Sequence, residues 1–123
     1  MGWQFNSDKP IYLQICDRIS RDIISEVYPS GQQLPSVRDL AVRAGVNPNT
    51  MQKAMAELEQ SGLVTSHRTS GRYVTKDRTM LEKLKHDLIS GGVEAFFEAM
   101  EHLGIKPSET LALIQNKLES EEA

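Results

Sequence analysis

Three groups of residues in this sequence bring hydrogen-bonding or charge chemistry together at close spacing. Ser36 and Arg38 form the first, Asn47, Asn49, Thr50, Gln52 and Lys53 the second, and Arg68, Gly71 and Arg72, next to His67, the third. A carboxamide presents a donor and an acceptor side by side, a guanidinium a planar fork of donors, and an ammonium a point charge. These are groups for recognition rather than bond making. No nucleophile–base set, phosphate loop or pair of convergent carboxylates accompanies them, so no enzyme is expected. His67, His86 and His102 are scattered without ligand spacing, and Cys16 is the single cysteine. Neither a metal site nor any other cofactor is expected, and an intramolecular disulfide is excluded. Cys16 falls on the apolar face of its helix and reads as a core thiol, with nothing in Asp17 or Arg18 to lower its pKa.

The elements that position these groups follow from periodicity and punctuation. From Pro10, with Pro10 in the first turn, the apolar residues Tyr12, Ile15, Ile19, Ile23 and Val27 recur every three or four positions until Pro29-Ser30-Gly31, which predicts a core-facing first helix. Ser36 with Asp39 three residues on resembles a capping box, Val37, Leu40 and Ala41 follow, and Gly45 supplies a stop. After a very short interval Asn47 caps a third helix with Pro48 in its first position. Met51, Ala54, Met55 and Leu58 give that helix its stripe, and it runs to about Ser61. Two helices so closely joined form a helix-turn-helix, whose second member is presented to a major groove. Leu63-Val64-Thr65 and Arg72-Tyr73-Val74-Thr75 then read as strands flanking a polar tip, a β-hairpin wing.

In that frame each polar group gains a task. Ser36 and Arg38 sit in the first turn of the second helix, where a hydroxyl, a free backbone N–H and a guanidinium meet DNA together. Asn49 and Gln52 have the geometry to pair with adenine, Thr50 to bond a phosphate or a base, and Lys53 to meet the backbone, while Asn47 is either a contact or only a cap. Arg68, Gly71 and Arg72 approach the minor groove or flanking phosphates, although a solvated hairpin turn accounts for Gly71 equally well.

Beyond the wing, Leu81, Leu84, Leu88, Val93, Phe96, Phe97, Met100 and Leu103 mark an apolar face from Met80 onward. Gly104 and Pro107 break it, and Ser108 caps a last helix striped by Leu111, Ile114 and Leu118. Ser90-Gly91-Gly92 interrupts the longer segment as a kink, a break or a site of close packing. The fold class is therefore mainly α with a small β-hairpin: a winged helix-turn-helix domain over residues 1–78 and a C-terminal helical hairpin over residues 79–123. Two apolar faces alone leave surface uncovered, which an identical chain would hide. Leu84, Leu88, Phe96, Phe97, Met100, Leu111 and Ile114 are the expected dimer interface.

The 123 residues leave no room for a large catalytic domain, and their net charge is −3. The charge is divided unevenly: residues 1–78 carry 10 Lys/Arg against 8 Asp/Glu, a net +2, and residues 79–123 carry 4 against 9, a net −5. With only short apolar runs and no basic-then-apolar start, a soluble cytoplasmic protein that does not enter a membrane is expected.

Three stretches carry a resemblance to a family. Pro10-Ile11-Tyr12-Leu13-Gln14-Ile15, Leu34-Pro35-Ser36-Val37-Arg38-Asp39-Leu40-Ala41 and Val46-Asn47-Pro48-Asn49-Thr50 resemble the helix-one opening, the second-helix signature and the recognition-helix start of the GntR-type bacterial regulators. The short C-terminal region is similar to that of their YtrA-like branch. The resemblance implies a homodimeric repressor that places two recognition helices in successive major grooves of a palindromic double-stranded DNA operator and competes with RNA polymerase. It also implies that the arginine matching Arg38 reaches DNA, and it suggests transporter operons as a target class. Pro48 and Gln52 stand where some larger relatives carry arginines, and Thr69 replaces a wing glycine, so the base preference of those relatives does not transfer. Effector control, which larger relatives place in a whole domain, is here absent or confined to the dimer interface, and the effector is unknown. The rival reading is a winged helix that binds protein; it tolerates loss of Arg38, Lys53 and Arg68 and shows no steep salt dependence.

Overall fold

The computed structural model describes residues 2–122. Helix α1 spans Ile11–Ile24, α2 Val37–Ala44 and α3 Pro48–Gln60. Strands β1 (Val64–His67) and β2 (Gly71–Val74) follow, then helices α4 (Arg78–His102) and α5 (Pro107–Glu122). The chain is therefore mostly helical with a two-stranded antiparallel hairpin, as its periodicity predicts. It divides into two compact units, one running as far as Leu84 and one beginning at Lys85. The first two turns of α4 belong to the first unit because Met80, Leu81 and Leu84 pack against its core.

In that unit α1 buries Ile15, Ile19 and Ile23, and α3 buries Met51, Ala54, Met55 and Leu58; Leu40, Val64 and Val74 close the same core. Pro10 stands before the first turn of α1, its carbonyl accepting from the Leu13 and Gln14 N–H groups. Val27 does not continue the stripe and is 60% exposed. The helix ends at Ile24 and Glu26 takes a positive φ of 66°, so the helical period no longer governs where Val27 points.

Side-chain caps start both helices of the helix-turn-helix. Ser36 Oγ accepts the Asp39 N–H at 3.1 Å, and Asn47 Oδ1 accepts the Asn49 N–H at 2.7 Å with Pro48 in the first turn. Between them Gly45 adopts φ +73°, and its N–H bonds to the Ala41 carbonyl at 2.9 Å. The segment before α1 lies against this turn. The Trp3 N–H donates to the Ala44 carbonyl at 3.1 Å, and Trp3 and Phe5 pack against the core.

The wing pairs Val64 with Val74, Thr65 with Tyr73, Ser66 with Arg72 and His67 with Gly71. It reaches further toward the tip than the strand-forming residues suggest, since His67 and Gly71 are themselves paired and only Arg68-Thr69-Ser70 form the loop. On its other edge β2 bonds to the segment leading into α2. The Gly31 N–H donates to the Val74 carbonyl (3.0 Å), Val74 N–H to the Gln32 carbonyl (2.9 Å) and Leu34 N–H to the Arg72 carbonyl (2.8 Å).

In the second unit α4 runs unbroken through Gly91 and Gly92, beside which a Cβ would meet open space. Gly104 ends it at φ +81°. Ser108 is not the cap of α5. That helix starts at Pro107, and the Glu109 carboxylate accepts the Lys106 N–H at 3.3 Å, which places Ser108 inside the first turn.

The Gly45 turn makes a stability test. A methyl group there would stand 3.2 Å from the Gly2 Cα on a residue held at positive φ. Gly45→Ala is expected to cost about 1–2 kcal/mol, measured by urea unfolding; an unchanged midpoint would show that the turn relaxes freely.

Candidate nucleic-acid interface

Helix α3 packs on α1 and α2 through Met51, Ala54, Met55 and Leu58, and that burial decides what faces outward. Asn49, Gln52 and Lys53 are exposed on the opposite side, with Thr50 half-buried beside them. The Lys53 ammonium stands 4.1 Å from the centroid of the Tyr12 ring on α1, which steers the charge without neutralising it. Asn47 is exposed, but its carbonyl oxygen is occupied by the helix cap, leaving its NH₂ group free to donate. Ser36 is in the same position, its oxygen accepting from the Asp39 N–H while its own hydroxyl hydrogen remains available.

Arg38 is exposed in the first turn of α2 and, like Arg68 at the wing tip, has no ion-pair partner among the described residues. Two other arginines of this unit are matched: Arg18 pairs with Asp22 at 3.3 Å and Arg21 with Asp17 at 2.9 Å, both along α1. Among the described residues Arg38 and Arg68 thus keep their charge unmatched. Ser36 and Gly71 line one open depression of about 280 Å³, together with Gln33, Pro35 and Ser70, so the start of α2 and the base of the wing tip come together. Gly71 is required there. It has φ +109°, and a Cβ would lie 3.0 Å from Gln33 Nε2, whose amide donates to the Ser70 carbonyl.

Arg72 lines the same depression, but unlike Arg38 and Arg68 it has an acidic neighbour. Its Nε lies 3.5 Å from Glu59 Oε1 on α3, and the side chains are only 20% and 27% exposed. The residues on the other face of the hairpin include His67 and Tyr73, whose rings meet edge to face with centroids 4.3 Å apart. Gln33 and Glu59 carry no local signal in the sequence. Each looks like an ordinary surface polar residue until its partner, 37 or 13 positions away, is known.

Cys16 is half-buried rather than fully enclosed, and its Sγ donates to the Ala54 carbonyl at 3.3 Å. Loss of solvation, then the nearby Glu57 charge, push its pKa from 9.0 up to about 11, with a backbone hydrogen bond acting in the opposite direction. The described residues contain no group of three or more His, Cys, Asp or Glu able to hold a metal ion.

A short turn between α2 and α3, an outward polar face on α3 and a hairpin directly after it define a winged helix-turn-helix, a DNA-binding class. Residues 11–74 match the family described as bacterial regulatory proteins, gntR family. The chain is 38% identical to an uncharacterized HTH-type transcriptional regulator, YhcF, of Bacillus subtilis over 90% of its own length and 92% of that protein. It is 34% identical to the HTH-type transcriptional repressor YtrA of the same organism, over 79% and 70%. A solved GntR family transcriptional regulator from Listeria monocytogenes superimposes with a TM-score of 0.80 at 38% identity, covering 91% of this chain and 98% of that one. The chain belongs to the GntR family. It is a DNA-binding transcriptional regulator and not an enzyme.

The raised pKa of Cys16 predicts its reactivity. At pH 8 its thiolate fraction lies about 100-fold below that of a thiol at the ordinary value, and the greater nucleophilicity of the more basic thiolate offsets part of this, so iodoacetamide should alkylate the folded chain about tenfold or more slower than the urea-unfolded chain. Equal rates, followed by mass spectrometry, would show a reactive thiol.

Proposed function

We propose that the protein is a cytoplasmic repressor that binds a palindromic operator as a homodimer. The observation that carries the DNA-facing part is the outward face of α3. Among the described residues the side chains of Asn49 and Gln52 are exposed without a hydrogen-bond partner, Lys53 is exposed beside Tyr12, and Arg38 is exposed and has no ion-pair partner at the start of α2. In this reading Asn49 and Gln52 read base edges, and Thr50 and Lys53 meet the backbone. Arg38 bonds a guanine edge or a phosphate, Ser36 and Asn47 donate to nearby acceptors, and Arg68 and Gly71 bring the wing to the flanking groove. The name of the Bacillus subtilis relative YtrA supports repression. A cytoplasmic location follows from acting on bacterial DNA, and no helix among the described residues is long and apolar enough to cross a membrane.

The dimer rests on the second unit. Phe96 is 43% exposed and Leu111 53%, and Ile89, Val93, Leu113 and Leu118 are also exposed; Leu88, Phe97, Met100 and Ile114 are half-buried. Covering this much apolar side chain calls for a second copy, and a two-fold dimer presents two α3 helices to symmetric half-sites about one helical turn apart. Leu84 is half-buried and already packs in part on the core of the winged unit, so it has less surface to give to the interface. Ile89, Leu113 and Leu118 take a place among the covering residues as well.

Selection from a random duplex pool, followed by fluorescence anisotropy across a salt series, tests the DNA reading. The native chain should prefer the selected sequence over a scrambled duplex and weaken steeply with salt, and Arg38→Ala should lose about tenfold or more in affinity. Equal affinity for both duplexes would refute sequence-specific control. Analytical ultracentrifugation tests the assembly. Phe96→Glu with Leu111→Glu should convert a dimer into a monomer that binds only half-sites, and a dimer surviving both changes would place the interface elsewhere.

A further inference from the structure

The wing consists of two strands of four residues each, and its tip projects beyond the backbone bonds that tie β2 to residues 31–34. Two side chains brace it. Gln33 donates to the Ser70 carbonyl from the segment that leads into α2, and Arg72 forms a 3.5 Å ion pair, without a hydrogen bond from Nε, with Glu59, the next-to-last residue of α3. The Arg72 Nε is buried and has no hydrogen-bond partner among the described residues, and the Glu59 carboxylate 3.5 Å away compensates its lost solvation. With both side chains about three-quarters enclosed, the pair is less screened than the α1 surface pairs, and breaking it leaves a charge without its counter-ion.

We propose that the Arg72–Glu59 pair is a positioning device: it sets the angle of the wing against the recognition helix, so that Arg68 meets the phosphates beside the groove that α3 occupies. Arg72 then serves DNA binding through Glu59 and not by touching DNA. The inference rests on the DNA reading above and assigns Glu59 a part in it. It has a consequence of opposite sign to simple electrostatics. Glu59 is an anion on a domain that binds a polyanion, and its neutralisation would also free the Arg72 cation. Charge alone therefore makes Glu59→Gln bind DNA more tightly and with a steeper salt dependence. Positioning makes it bind more weakly, because the wing loses its anchor on α3 and Arg68 loses its phosphate.

The test uses the full-length chain and the duplex selected by the native protein. Glu59→Gln is expected to raise Kd about 5- to 10-fold and to reduce the salt slope by about one phosphate contact, as Arg68→Ala does alone. Adding Arg68→Ala to Glu59→Gln should change little further, since the contact is already lost. The swapped pair, Glu59→Arg with Arg72→Glu, keeps the net charge, and its affinity and its sensitivity to Arg68→Ala should return to near native; a structural loss without a positioning role would not restore that sensitivity. Glu59→Gln binding as tightly as the native chain or more tightly, with the full Arg68→Ala effect retained, would overturn the proposal. If Glu59→Gln loses helix content by circular dichroism, the swapped pair carries the test alone, and its failure to recover Arg68 sensitivity overturns the proposal equally. A native chain that selects no sequence would instead refute the DNA reading itself.

Discussion

Everything the winged unit presents to the outside depends on the packing of α1 against α3. Ile15 and Ile19 are fully buried, as are Met51, Ala54 and Met55, and Leu58 and Ile23 nearly so. Each large aliphatic side chain among them contributes on the order of 1.5–3 kcal/mol by leaving water. A helix has only one face to give to such a core. Once Met51, Ala54, Met55 and Leu58 are committed, residues 49, 52 and 53 must point the other way. The outward display of amide and ammonium groups is thus a direct result of hydrophobic burial behind them.

The turn between α2 and α3 sets how that display is mounted, and its caps influence what it can recognise. Ser36 and Asn47 both use an oxygen to satisfy a helix N-terminus. Each keeps its donor hydrogens free, which suit acceptors such as phosphate oxygens or purine N7 and O6. Gly45, at φ +73°, lets the chain reverse while the Trp3 N–H satisfies the Ala44 carbonyl, an otherwise open group at the end of α2. The N-terminal segment therefore closes the turn from outside.

Electrostatically the chain separates its tasks. The net −3 hides a positive first part and an acidic second. Within the first part, pairing matters more than the total. Arg18 and Arg21 are matched along α1, Arg72 is matched by Glu59, and Arg38 and Arg68 have no acidic partner among the described residues. A residue's sign says little about its role until its neighbour is known, as the contrast between Arg68 and Arg72, only four positions apart, shows.

Local rules made much of this protein legible from its sequence. The three-and-four spacing of isoleucines in α1, the Ser36 and Asn47 caps, Pro48 in a first turn and Gly45 after α2 act over one or two helical turns, so a single segment carries their full information. The helix-turn-helix and the exposed α3 face follow from them, and the hairpin from the strand-forming runs on either side of its polar tip. Where local rules misled, the cause was also local. Val27 continues a period after its helix has ended, and Ser108 offers a cap one position beyond the true start of α5. Other features were settled only when distant segments met. Residues 31–34 became an edge partner of β2, the Trp3 segment sealed the α2–α3 turn, and Leu84 joined the core. Arg72 found Glu59. Backbone donors in a polar linker, or a guanidinium on a short strand, accept many partners, and chain entropy leaves that choice open until hydrophobic packing brings particular ones within reach.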